Sequence, residues 1–275
     1  MPLKNRLFAL LLVIVTVALT VSIGYSQVVT QNLGTTGVAN WSNQTLRAFG
    51  IAGVNPNDPP GAARANAITA ARTIAMRNLL ESVQGVALTS ETTVRNAMIE
   101  NDVITTRVQG FVKGCKMVGE PKYMSDTSIE VEVEVSMSGL SDIFLPKAPD
   151  GSTPATVETP ASGAYTGLII DAKGLGVMPA MAPKVVDESN KEVYGSGFVD
   201  REWAVRQGMV GYEKDLAAAR ANQRVTNNPL VIKALKASGA NKSDVMISNA
   251  DAQRLQQATQ TQNFLDNCRV MFLLD

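Results

Sequence analysis

The stretch ANAITAARTIAMRNLLESVQGV, residues 65–86, has the pattern of one long helix with small side chains along one face. Alanine and leucine favour helix, and the apolar residues recur at spacings of three and four positions. The predicted buried stripe is Ala67, Ile68, Ala71, Ile74, Ala75, Leu79 and Val83. Because most of these side chains are small, we expect the helix to lie close against a neighbouring sheet.

The residues on either side of this stretch indicate where the helix begins and ends. TLRAFGIAGV, residues 45–54, is an apolar run compatible with a β-strand, and NPNDPPG follows it. Asp58 is predicted to cap the helix, with Pro59 in the first helical position, where a missing N–H costs nothing. Gly85 is predicted to stop the helix.

The segments that follow predict an antiparallel sheet. VALTSETTV, residues 86–94, alternates as a strand would. Residues 95–110 are ambiguous, and we expect a short helix that frays into a strand. Residues 111–124 and 128–137 are predicted to form a hairpin around SDTS. In SIEVEVEVSM the residues Ile129, Val131, Val133, Val135 and Met137 alternate with Glu130, Glu132 and Glu134.

The rest of the chain contains elements of similar kinds. YTGLIIDAKGLGV begins with a strand, and PKVVDESNKEVYGSG reads as two short strands joined by a turn at DESNK. Residues 200–225 have a helical pattern with Asp200 as its cap, weakened by Gly208 and Gly211. Two apolar runs, PLVIKALKASG and SDVMIS, have the length of strands. A helix is predicted to start at Asn249 or Asp251. The last segment, RVMFLLD, is predicted to be a strand buried in the sheet.

Four prolines mark the predicted domain boundary at PKAPDGSTPATVETPASGA, residues 146–164, which has too few large apolar residues to join a core. The predicted organisation is therefore an export signal at 1–26, a first domain at 27–145, a linker at 146–164 and a second domain at 165–275. The predicted fold class is α+β, with two small domains, each a mainly antiparallel sheet packed with one or two helices.

The N-terminus has the features of an export signal. Lys4 and Arg6 precede an uncharged apolar run at residues 7–23, and Gly24 and Ser26 are small residues suited to a cleavage site. We expect cleavage after Ser26. The alternative is an uncleaved inner-membrane anchor formed by residues 7–23, because the run approaches the roughly 20 residues that span a bilayer.

Composition excludes several classes of function. The 275 residues include 25 basic and 25 acidic side chains with no basic block, which argues against nucleic acid as a partner. The chain has no histidine, so histidine bases, histidine metal ligands and Ser-His or Cys-His nucleophiles are unavailable. Cys115 and Cys268 are expected to be buried apolar side chains, with a disulfide between them as the alternative in an oxidising compartment.

No candidate site is stronger than its ordinary structural explanation. The row of Glu130, Glu132 and Glu134 is expected to be a solvated face whose charges pair with Lys116 or Lys122. The Gly174 and Gly176 loop lacks the third glycine and the following helix of a nucleotide loop. Asp171 has no second catalytic group beside it in the sequence. The scattered methionines are expected to fill a core: Met76, Met98, Met117, Met124 and Met137. Trp41 and Trp203 have no stacking partner that the sequence identifies. The prediction is therefore no catalytic, cofactor-binding or metal-binding residues and no cofactor.

The order of elements around the helix resembles the bacterial envelope family of FlgP and the Lpp-twenty outer-membrane lipoproteins. The resemblance rests on GIAGV, on the opening helix, on residues 105–137 and on the exported N-terminus, and it covers about residues 45–140. It implies a small α+β domain that associates into rings or discs at the outer membrane, in some members near the flagellar motor. The lipoprotein cysteine is missing after the apolar run, and residues 165–275 lie outside the resemblance.

Together these patterns predict an exported, non-enzymatic protein of the periplasm or outer membrane. Its expected partners are copies of itself and other envelope proteins, with membrane contact only through the signal segment or peripheral association. The alternative hypothesis is a binding module for a glycan, a peptidoglycan fragment or a small ligand, with the glycine-rich turns KGLG and YGSG in its second domain.

Overall fold

A computed structural model of the protein describes residues 28–145 and 164–275. The predicted export signal lies outside these residues, as does the predicted linker except for Ala164. Within the two described ranges, no helix is both long enough and apolar enough to cross a membrane.

The N-terminal half is built on a six-stranded antiparallel sheet. Its strands are β1 (Thr30–Leu33), β2 (Gly37–Asn40), β3 (Thr45–Gly53), β4 (Lys116–Met117), β5 (Lys122–Tyr123) and β6 (Ser128–Ser136). Their order is β1-β2-β3-β6-β4, and β5 also pairs with β6. The alternation predicted for β6 is confirmed: its apolar side chains are buried and its three glutamates are half-buried. The single strand predicted for residues 111–124 is replaced by the end of a helix at residues 111–113 and by the two short strands β4 and β5, of which β5 forms the hairpin with β6.

One long helix, α1 (Pro60–Gln84), covers the apolar face of this sheet. Its buried residues are Ala63, Ala67, Ala71, Ala75, Leu79, Ser82 and Val83, so the predicted stripe of small residues is largely confirmed, while Ile68 and Ile74 are only half-buried. The predicted start was wrong by one position, because a residue before proline avoids the helical region. Pro59 therefore precedes Pro60 in an extended conformation, and Asp58 accepts hydrogen bonds from the side chains of Asn55 and Asn66 instead. The helix ends at Gly85, as predicted.

Three shorter helices complete this half: α2 (Val94–Glu100), α3 (Asp102–Lys113) and α4 (Met137–Phe144). The strand predicted for residues 86–94 is wrong. The Thr93 hydroxyl instead caps α2. This segment contains one isolated β-bridge, between Ala87 and Thr93. The ambiguous stretch that follows is helical throughout except at Asn101, whose side chain caps α3.

The C-terminal half contains two four-stranded sheets, ordered β10-β14-β7-β11 and β12-β13-β8-β9. Their strands are β7 (Gly167–Asp171), β8 (Val185–Val186), β9 (Glu192–Tyr194), β10 (Gly211–Glu213), β11 (Pro229–Lys233), β12 (Lys236–Ser238), β13 (Asp244–Met246) and β14 (Val270–Leu273). The helices are α5 (Arg201–Gln207), α6 (Leu216–Ala221) and α7 (Asn249–Thr261), with a 3-10 turn at Ser196–Phe198.

The α+β class is confirmed, and β14 is buried in its sheet as predicted. The expectation of mainly antiparallel sheets holds for the N-terminal half, but the first of the two C-terminal sheets is entirely parallel. Residues Leu168–Ile170 of β7 and all of β14 are uninterrupted apolar runs buried on both faces, which is the pattern of a parallel sheet. The helix predicted across residues 200–225 is split by Gly208, which has φ +75°, and α5 is capped by Asp200 as predicted.

Most buried apolar residues of both halves form one continuous cluster. A second, smaller cluster in the C-terminal half consists of Ile169, Ala219, Val225, Met271 and Leu273. At the junction the Trp41 ring meets the Tyr212 ring edge-on, with their centroids 5.6 Å apart, and Tyr212 in turn meets Phe272 at 6.0 Å. The Ser42 hydroxyl also donates to the Tyr212 carbonyl over 2.8 Å. The two halves are therefore packed against each other through aromatic and polar contacts.

Candidate functional site

The glutamate row on β6 is a face of paired charges. Lys122 Nζ lies 2.7 Å from Glu130, which confirms that lysine as a partner, and Arg47 lies 2.5 Å from Glu134 and 3.8 Å from Glu132. The hydrogen bond from Lys122 to Glu130, together with the Glu130 charge, raises the pKa of the lysine. The sequence did not indicate Arg47 because its place opposite Glu134 depends on the register of β3 with β6. These exposed pairs are consistent with a solvated sheet surface.

The glycine-rich loop after β7 is closed by the chain itself. Gly174 and Gly176 have φ of +75° and +63°, so both adopt the left-handed conformation of a turn. The backbone N–H of Gly174 donates to the two carboxylate oxygens of Asp275 at 2.9 and 3.1 Å. Asp171 accepts from the N–H of Lys173 at 3.2 Å. The loop therefore binds a carboxylate of its own chain.

The two cysteines are buried free thiols, so the alternative of a disulfide between them is wrong for this structure. Burial raises the pKa of Cys115 despite the nearby Arg72 charge, and burial raises the pKa of Cys268 to about 12. A thiol with such a pKa is almost entirely protonated near neutral pH and is a poor nucleophile.

The methionines and tryptophans differ in part from expectation. Met98 and Met137 are buried and Met76 is partly buried, whereas Met117 and Met124 are each 44% exposed. Both tryptophans have partners that the sequence did not indicate. Trp41 contacts Tyr212, which is far away in the sequence, and the Arg206 guanidinium lies 5.0 Å from the centre of the Trp203 ring.

A buried arginine stabilises the interior of the C-terminal half. The Arg224 guanidinium donates to the carbonyls of Gly208 and Cys268 at 3.0 and 2.9 Å and also to that of Gln207. Nearby, the Tyr194 hydroxyl donates to the Met209 carbonyl at 2.6 Å. Burial raises the pKa of Tyr194 and lowers that of Arg224. Because backbone carbonyls accept from these groups, their role is structural.

A groove of about 600 Å³ lies in the C-terminal half. One wall is helix α7, the other is the β8–β9 hairpin, and residues 263–266 close one side. A volume of this size lies within the usual range for ligand sites, about 300 to 1,000 Å³. The groove was not predicted, and of the two glycine-rich turns that suggested a ligand site only YGSG lies near it, through Ser196–Phe198.

The groove is lined by four kinds of side chain. The amides are Asn249, Gln253, Gln256, Gln260 and Asn263, the charged residues are Asp187, Lys191, Glu192 and Asp266, and the apolar residues are Val193, Phe198, Ala252, Leu255 and Leu265. The hydroxyls of Ser189 and Thr259 complete the lining. Chemically, such a surface can exchange hydrogen bonds and offer apolar contact.

The two walls are held in position by hydrogen bonds within the chain. Glu188 in the hairpin turn accepts from the N–H of Asn249 at 2.9 Å, which fixes the turn against the start of α7. The Asp187 carboxylate accepts from the N–H groups of Ser189 and Lys191 at 2.8 and 2.9 Å, which shapes the turn itself. The groove is therefore largely pre-formed.

Asp266 lines the groove, and the pKa of its carboxyl is raised above the ordinary value of 3.8. Burial raises the pKa of its carboxyl, a hydrogen bond from Asn263 opposes this effect, and the negative charge of Asp200 adds to it.

Among residues 28–145 and 164–275, no three cysteine, aspartate or glutamate side chains lie close enough together to hold a metal ion.

Comparison with known proteins relates the C-terminal half to a described family. Residues 167–275 match the family model of the second domain of Treponema pallidum Tp0624. This range includes the whole groove and both C-terminal sheets. No curated protein matches the chain.

Proposed function

We propose that the protein is an exported, non-enzymatic component of the cell envelope that assembles with copies of itself through its N-terminal half. The proposed location is the periplasm or the outer membrane, with anchoring by residues 7–23 in the inner membrane as the alternative. Export is supported by the apolar run after Lys4 and Arg6, and a non-enzymatic role is supported by the absence of histidine.

The observation that carries the assembly proposal is the open six-stranded sheet. Strand β1 forms one edge and the short strands β4 and β5 form the other, and no described element pairs with the outer side of either. Sheet edges present unpaired N–H and C=O groups that readily pair with another chain. Because the two edges differ, pairing one with the other on the next copy would be head-to-tail and could close into a ring.

The outer face of α1 is the other surface available for assembly, and the structure favours the edges over it. The hydroxyls of Thr69 and Thr73 donate to carbonyls of the helix itself, at 3.0 and 2.9 Å. These donors are therefore already used, whereas Arg77 remains exposed. We expect Arg77→Ala to leave the protein both folded and assembled.

The test is light scattering coupled to size-exclusion chromatography on the full chain in detergent. Wild type is expected to form a discrete oligomer at micromolar concentration. Thr30→Lys/Asn32→Lys places two charges at exposed positions of the edge strand β1 and should shift the protein to monomer. Arg77→Ala is the matched control. A monomeric wild type, or dissociation by the Arg77 variant alone, would contradict assembly through the edges.

The resemblance of residues 45–140 to the FlgP and Lpp-twenty family supports the same proposal and adds the surroundings of the flagellar motor as a location. This location rests on the resemblance alone. The match of residues 167–275 to a different family concerns the other half of the chain.

A second candidate function is ligand binding by the C-terminal half. The observation that favours it is the pre-formed groove along α7, whose lining combines amides, hydroxyls and apolar side chains. The two functions are compatible because the groove and the open sheet belong to different halves of the molecule.

A further inference from the structure

The shape of the groove favours a chain-like ligand. Its lining residues on α7 run from Asn249 to Gln260 along one helix face. At 1.5 Å per residue, these eleven steps extend over about 16 Å. A ligand that follows the whole face must therefore be elongated, and one compact ring would occupy only part of it.

The chemistry of the helix face favours a ligand rich in hydroxyl or amide groups. Gln253, Gln256 and Gln260 are exposed along the groove, and each side-chain amide offers both donors and an acceptor. Between them, Ala252 and Leu255 are buried and form an apolar floor. A neutral ligand whose groups donate as well as accept would use this surface most fully.

The charges around the groove disfavour an anionic ligand. Three carboxylates line it, at Asp187, Glu192 and Asp266, against the single ammonium of Lys191. Lys184, which lies outside the lining, pairs with Glu192 at 2.9 Å and offsets its charge, which leaves Asp187 and Asp266 against Lys191. Phosphates and nucleic acids would therefore meet a slightly negative surface.

An exposed aromatic ring adds an apolar contact to this polar surface. The Phe198 side chain is 40% exposed. Its backbone lies in a short 3-10 turn, in which its N–H donates to the Gly195 carbonyl at 3.0 Å. The flat apolar face of a sugar ring can pack on such an aromatic ring while its hydroxyls reach the amides.

We propose that the groove binds a neutral oligosaccharide, with one sugar ring on Phe198 and hydroxyl or acetamido groups hydrogen-bonded to Gln253 and Gln256. This proposal rests on the second candidate function and is independent of assembly. A peptide added to the sheet edge is the competing occupant, because β9 is the terminal strand of its sheet. That strand has only three residues, whereas the amide row follows the full length of α7.

The test is calorimetric titration of the full chain in a detergent without a sugar headgroup. The probes are tetra-N-acetylchitotetraose, cellotetraose and, as a peptide of similar length, tetra-alanine. Binding of at least one saccharide at millimolar concentration, without binding of the peptide, is the expected result. The proposal is overturned if neither saccharide binds, or if tetra-alanine binds instead.

Two neighbouring glutamines on α7 provide a matched pair of variants. Gln256 lines the groove and Gln257 is exposed outside it. Gln256→Ala should weaken saccharide binding roughly three- to tenfold, as expected for one lost hydrogen bond, and Gln257→Ala should not change it. Phe198→Ala should weaken binding by at least a similar factor. Equal effects of both glutamine variants, or no effect of the Phe198 variant, would place the ligand elsewhere. Light scattering on the same samples reports assembly separately, so failure of either idea is distinguishable from failure of the other.

Discussion

Asp244 is a buried carboxylate that joins the two halves of the molecule. One of its oxygens accepts a hydrogen bond from the Ser90 hydroxyl in the N-terminal half, and the other accepts from the N–H of Lys184 at 2.8 Å. Ser90 and Asp244 are 4% and 7% exposed, so water cannot easily replace either contact. Sequence patterns did not indicate this pair, because its members are 154 positions apart.

Substituting either residue of this pair should destabilise the folded protein, and the two effects should not be additive. Asp244→Ala should lower the free energy of unfolding by about 2 to 3 kcal/mol and Ser90→Ala by about 1 to 2 kcal/mol, since the acceptor is charged and buried. The double variant should lose less than the sum of the two, because both single changes remove the same contact. Urea unfolding of the four proteins provides the measurement. Strict additivity would mean that the contact does not stabilise the junction.

At the scale of the secondary-structure elements, α1 and β3 lie in close contact. Gly50 of β3 faces the helix where Ala71 and Ala75 are fully buried. A Cβ atom at Gly50 would lie 2.3 Å from both the Ala71 carbonyl oxygen and the Ala75 nitrogen, far inside van der Waals contact. The small-residue stripe therefore has a counterpart on the strand, and together they set the distance between helix and sheet.

This contact predicts a large difference between two glycines of the same strand. Gly50→Ala should cost about 3 kcal/mol or prevent folding, because backbone atoms of the helix must move. Gly53→Ala, whose added Cβ would meet no atom within 4 Å, should change the free energy of unfolding by less than about 0.5 kcal/mol. Circular dichroism during thermal and urea unfolding would measure both. Similar stabilities for the two variants would rule out the close helix–strand contact.

At the scale of the whole molecule, the interior contains several groups that are kept protonated by burial. The pKa of Cys268 is raised from its ordinary value of 9.0 to about 12, and those of Tyr194 and Tyr212 are raised above their ordinary value of 10.0. All three belong to the C-terminal half and join the shared core. In the unfolded chain they would lose their protons at lower pH.

Stability should therefore fall at alkaline pH. Above about pH 9 the unfolded state binds fewer protons than the folded state, so the free energy of unfolding decreases as pH rises, with the Cys268 contribution lost between about pH 9 and pH 12. Urea unfolding at several pH values would measure the slope. Tyr194→Phe should be less stable at neutral pH, because its hydrogen bond to Met209 is lost, but should show a shallower decline. A free energy of unfolding that stays constant above pH 9 would contradict this account.

The sequence alone determined the features that depend on neighbours along the chain. The period of the apolar residues identified α1, β6 and most C-terminal elements, and cap residues such as Asp200 and Gly85 marked their ends. Local prediction failed where two local preferences competed. At Pro59 the following proline excluded the helical conformation. At residues 86–94, Thr93 caps a helix instead of extending a strand.

Only the tertiary structure decided the features that depend on residues far apart in the chain. These include the parallel pairing of β7 with β11 and β14, the contact of Trp41 with Tyr212, and the free state of the two cysteines. The groove belongs to the same class, because its amides lie on one helix while Phe198 and the β8–β9 hairpin come from 50 or more positions earlier. Periodicity specifies which face of an element is buried, but what that face meets is settled by packing of the whole chain.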